Sequence, residues 1–137
     1  MTPHTLSRSG DTPLNFQGDL ICGSPGSRQG GVKQVRYHDL AIFRDDLGRY
    51  IVQIRYVTSW SGESGHELVQ PVCTLGEVVA FCRAYDPTSH LHPRPIYLGA
   101  PDRYATWLDH MRESLRTRYA RQVRTIVCDM QQITMFT

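Results

Sequence analysis

Three serines, Ser59, Ser61 and Ser64, surround Trp60 in a short polar stretch, with Glu63 inside it and His66 just beyond. A hydroxyl, a carboxylate and an imidazole are the parts of a nucleophilic hydrolase. That chemistry also needs its serine on a sharp strand-to-helix turn, and the G-x-S-x-G pattern that marks such a turn is absent. Ser and Gly are ordinary turn formers, so the stretch reads as a turn carrying Trp60. His90 and His92 stand two apart in Ser-His-Leu-His-Pro. On extended chain they point the same way and could share a metal ion. His66, Asp86 and His110 could supply a third ligand, yet no spacing ties them to the pair, and a structural zinc site takes four ligands. His38 and Asp39 are neighbours on a strand and point to opposite faces.

Cys22, Cys73, Cys82 and Cys128 lie in no metal-ligand spacing and read as small core hydrophobes. Cys82 falls within a helix stripe and lacks an activating motif. The segment 26–31 is glycine-rich but lacks both the P-loop and the dinucleotide fingerprint, so it reads as a tether. No catalytic residues, no metal and no cofactor are expected, and the chain reads as a non-enzyme.

Arginine carries the remaining chemistry. The fifteen basic residues are fourteen Arg and Lys33 alone, with a net charge of +2. Arg offers a planar fork that matches carboxylate and phosphate, as Lys does not. Arg112, Arg116, Arg118, Arg121 and Arg124 cluster in one segment whose single acid is Glu113. Steps of three and four set several of them on one helical face, available to phosphates or to acidic side chains. Pairs such as Asp109 with Arg112, or Glu113 with Arg116, would leave the same face merely solvated. Trp60 with Tyr50 and Tyr56 adds aromatic character of the kind interfaces use.

The elements that must hold these groups follow from periodicity. Residues 1–13 are polar, contain Pro3 and Pro13, and are expected to be a flexible arm. A single α+β domain is expected over 14–137. Residues 14–22 read as a first strand, weakened or bulged at Gly18, and 23–31 as a flexible connection. Residues 35–44 and 49–58 read as a hairpin around Asp45-Asp46-Leu47-Gly48, with Gly48 left-handed. Both of its faces carry apolar residues, which suits a central place in the sheet. Residues 66–73 read as an edge strand because of Pro71.

Thr74 and Glu77 form a capping box for a short helix that Asp86-Pro87 stops. Residues 86–101 read as a proline-rich ordered connector. From Pro101 to about Gln132 an apolar stripe runs through Tyr104, Trp107, Leu108, Met111, Leu115, Tyr119, Val123, Ile126, Val127 and Met130. It defines one long amphipathic helix, longer than a small sheet needs.

The expected fold is thus α+β: a three- to four-stranded antiparallel meander, one short helix and one long C-terminal amphipathic helix. With no apolar leader, no membrane span and unpaired thiols, the expected location is the cytoplasm. The expected function is a non-enzymatic protein-interaction module. It would bind a partner protein or itself through the long helix and sheet, using Trp60, Arg112, Arg116, Arg118, Arg121 and Arg124. A nucleic-acid-binding accessory protein using the same arginines is the first alternative, and a small hydrolase or nuclease the second.

Overall fold

The computed structural model describes residues 1–29, 32–60, 62–91 and 101–135. Along the chain lie β1 (Thr2–Arg8), β2 (Asp11–Ser24), β3 (Arg28–Gln29), β4 (Val32–Lys33), β5 (Arg36–Asp45), β6 (Tyr50–Thr58), β7 (His66–Val72), α1 (Leu75–Ala84) and α2 (Pro101–Met135).

The β5–β6 hairpin forms as its alternation predicts, in register from Arg36 opposite Thr58 to Arg44 opposite Tyr50. Its loop is locked by Asp45. The buried carboxylate accepts from the backbone N–H of Leu47 (3.1 Å) and Arg49 (2.7 Å) and from Arg49 Nε (2.8 Å). Burial works against that charge, but these donors outweigh it and hold the Asp45 carboxyl below its ordinary range. Gly48 has φ 79°, the left-handed region that the turn needs.

The strands order as β1-β2-β5-β6-β7, all antiparallel, so the sheet has five strands rather than three or four. The meander holds, interrupted by the small β3–β4 ribbon, and Pro71 does sit on an edge strand. The flexible arm expected over 1–13 is instead β1 and the start of β2, joined through Ser9 and Gly10, where Gly10 has φ 74°. The irregularity in β2 falls between Leu20 and Cys22, not at Gly18. Gly18 serves a close approach: a Cβ there would collide with the Arg44 carbonyl. The flexible connection expected over 23–31 is likewise partly built, with Ser24 ending β2 and Arg28–Gln29 pairing Val32–Lys33.

The sheet is curled. Across a flat five-stranded sheet the outer strands would stand about 19 Å apart, at ~4.8 Å per strand. Yet Ser9 N donates to Glu67 O (2.9 Å), and Glu67 N donates to Ser9 Oγ (2.9 Å). The β1–β2 turn thus bends over to β7. It brings Leu6, Leu14 and Phe16 onto Phe43, Ile51 and Val69, a small core on the face away from the helices. The opposite face holds the larger core, with Leu40, Ile42, Tyr50, Val52 and Ile54 under Val78 and Cys82 of α1 and Tyr119, Val123, Ile126 and Met130 of α2.

Thr74 caps α1, its hydroxyl accepting from Glu77 N (3.1 Å), while the Glu77 carboxylate accepts from Cys73 N (3.3 Å). The helix ends at Tyr85, before Asp86-Pro87. The expected connector over 86–101 lies mostly outside the described residues. Helix α2 has 35 residues and spans about 52 Å. Leu115 through Met130 seat it on the sheet, whereas Tyr104, Trp107, Leu108 and Met111 are only half-buried. Gln122 ties it to the inner strands β2 and β5, donating to the carbonyls of Ser24 (2.8 Å) and His38 (2.7 Å). Among the described residues no helix is long and apolar enough to cross a membrane.

Candidate functional site

The arginines of α2 separate into inward and outward groups. Arg112 faces Asp109 (3.9 Å) and Arg116 faces Glu113 (3.9 Å), both loose pairs on the surface. Arg121 and Arg124 are exposed and make no ion pair among the described residues. Arg118 turns inward and donates from Nη1 to the Arg36 carbonyl (2.9 Å). The five do not form one face.

Two of the outward arginines border a groove between α1 and α2. Its floor is Tyr85, Tyr119, Ala120 and Val123, and Arg83, Arg116 and Arg124 stand around it in a space of about 450 Å³. Positions 116, 120 and 124 are successive turns of one helical face, so helical spacing alone aligns them. Arg83 comes from the last turn of α1, where a cation also suits the helix C-terminus.

Arg118 belongs to a second place, beside Trp60. Arg36 is 3% exposed and its Nε donates to both Glu63 oxygens (3.0 Å each). Its Nη1 lies 3.1 Å from the Met111 sulfur, and its guanidinium stacks 4.8 Å from the Trp60 ring centroid. Tyr56 Oη donates to Glu63 as well. Burial opposes the Glu63 charge, but the hydrogen bonds from Arg36 and Tyr56 outweigh it and keep the carboxyl below its ordinary range. Burial, and then the Glu63 carboxylate, push the Tyr56 hydroxyl well above its ordinary pKa. Arg36 Nη2 and Arg118 Nε are buried without a hydrogen-bond partner among the described residues. Both arginines line a cleft of about 420 Å³ with Trp60, Trp107, His110, Met111 and Ser114. Sequence reasoning singled out Trp60 and Arg118 for binding but missed Arg36, read Glu63 only as the carboxylate of a hydrolase-like stretch, and read Trp107 only as part of the helical stripe. Arg36 and Glu63 are 27 positions apart, and no local pattern announces such a pair.

The residues that suggested catalysis are not brought together as a catalytic set. Glu63 is engaged by Arg36 and Tyr56, and Ser59 Oγ lies 3.5 Å from the Val35 carbonyl. Ser61 lies outside the described residues, as does His92. His66 instead stacks on His90, ring centroids 3.7 Å apart. Among the described residues there is no group of three or more His, Cys, Asp or Glu side chains placed to hold a metal ion.

His38 is buried among Tyr56, Tyr85 and Tyr119, with Tyr85 Oη 3.3 Å from its Nε2. Burial, and then the Arg118 charge, lower its pKa to about 4. The imidazole is therefore neutral at physiological pH and serves as a polar core group. Burial likewise raises the thiols of Cys22 and Cys82 to about 11, which leaves them poor nucleophiles.

Comparison with known proteins yields no matching family model, and no curated protein or solved structure that is significantly similar.

Proposed function

We propose that this protein is a non-enzymatic binding module that docks an acidic, amphipathic segment of a partner protein in the α1–α2 groove. The observation that carries the reading is the groove's composition: three arginines around a floor of two tyrosines, an alanine and a valine. Apolar floor area supplies affinity at about 25 cal/mol per Å² buried. The arginines supply steering and selection for carboxylates. A continuous phosphate-binding face fits less well, because Arg118 is turned inward and the five arginines from Arg112 to Arg124 do not share one face.

The test is fluorescence anisotropy with a labelled amphipathic peptide, glutamates on one helical face and leucines on the other, beside an oligonucleotide of equal charge. The peptide is expected to bind, and Arg83→Glu combined with Arg124→Glu to weaken it by about tenfold or more. Light scattering on the free protein reports self-association in parallel. Tighter binding of the oligonucleotide, with a steep salt dependence, would transfer the reading to nucleic acid.

A further inference from the structure

The cleft beside Trp60 shares no residue with the α1–α2 groove and has a different character. Its charges do not balance. Arg36 and Glu63 cancel as a buried pair, and Arg118 adds a half-buried cation that no carboxylate meets among the described residues. Two buried donor nitrogens, Arg36 Nη2 and Arg118 Nε, have no acceptor there. Buried donors and unpaired charges are costly, and native proteins keep few of them. An oxyanion supplies what both lack: acceptor oxygens and a negative charge.

The walls add a second requirement. Trp60 and Trp107 both line the cleft, and Met111 of α2 sets its sulfur against the Arg36 guanidinium. Indole faces attract flat rings, and the volume of about 420 Å³ lies within the range of small-molecule sites. A neutral ring would leave the donors unmet, and a ringless anion would leave unused the parts of the two indoles that Arg36 and Tyr104 do not cover. We infer that this cleft binds a small ligand made of a planar aromatic ring bearing an oxyanion, either a carboxylate or a phosphate.

The chain holds only two tryptophans, and both line this cleft, so each reports on it directly. Protein labelled with 5-fluorotryptophan would be titrated by fluorine NMR with benzoate and with adenosine monophosphate. Benzyl alcohol, adenosine and acetate are the controls. Both resonances are expected to move with one of the two anions, and the controls to bind at least about tenfold more weakly. A response to benzoate assigns an aryl carboxylate, and a response to the nucleotide assigns an aryl phosphate. Arg118→Met is expected to weaken the response by about tenfold or more. Ser114→Glu, at an exposed position of the cleft wall, should do the same by setting a carboxylate against the incoming anion. The inference is overturned if neither anion moves either resonance up to about 10 mM. It is equally overturned if the neutral analogues act as strongly as the anions, or if both variants bind unchanged.

Discussion

Arg118 and Arg124 lie less than two turns apart on one helix, yet one is sunk beside a tryptophan cleft and the other stands in water at the rim of a groove. The inward pair, Arg36 and Arg118, is held by a carbonyl, a carboxylate and an indole face. The outward set, Arg116, Arg121 and Arg124, is held by little besides one loose contact to Glu113. Side-chain identity is the same in both. What differs is desolvation, which turns a guanidinium from a solvated charge into one whose every hydrogen bond matters.

The contrast breaks most visibly at Glu63. Glu63→Ala strands the buried Arg36 and is expected to lower unfolding free energy by about 3–5 kcal/mol, read from urea denaturation. The buried histidine next to Arg118 gives a pH signature. Its folded pKa of about 4 lies below the unfolded value of 6.5, so the unfolded chain takes up the proton first as pH falls. Its contribution is therefore complete above about pH 6.5 and is lost as pH falls towards 4. Between pH 7 and pH 5 the loss is about 2 kcal/mol, measurable as a falling urea midpoint that flattens in His38→Phe.

Arg118→Met tests the inward group with the opposite sign. It removes an uncompensated cation but also the hydrogen bond to the Arg36 carbonyl. A neutral outcome or a gain of about 1 kcal/mol is expected in the ligand-free protein. A loss above about 2 kcal/mol would mean the arginine is needed for the fold itself. Smallest of all, Arg124→Ala and Arg121→Ala should each stay within about 0.5 kcal/mol of the parent in the same denaturation series.

The same contrast explains how far the sequence could be read. Local chemistry was legible: the β5–β6 turn with Gly48, the Thr74–Glu77 cap, the proline on β7 and the helical stripe of α2 all depend on neighbours within a few positions. The first strand was not. Only one face of β1 is covered, by Leu6 with His4 and Arg8 beside it, so its apolar signal is thin and Pro3 argues against it. The Ser9-Gly10 turn, with Leu14 and Phe16 after it, was the available signal. Arg118 sat in the sequence as one of five equivalent arginines. Its inward turn depends on Arg36, 82 positions earlier, and helical spacing carries no trace of that. The polar stretch around Trp60 likewise gave no hint that Glu63 would be buried.

The two hydrogen bonds between Ser9 and Glu67 carry a consequence for how the chain is made. During synthesis the amino-terminal hairpin can pair early, but its turn has no anchor until residue 67 has left the ribosome. Until then the faces of Leu14 and Phe16 have no Val69 to rest on. The seam of the curled sheet therefore closes only after Glu67 and Val69 have emerged, and α2, which covers the other face, comes later still.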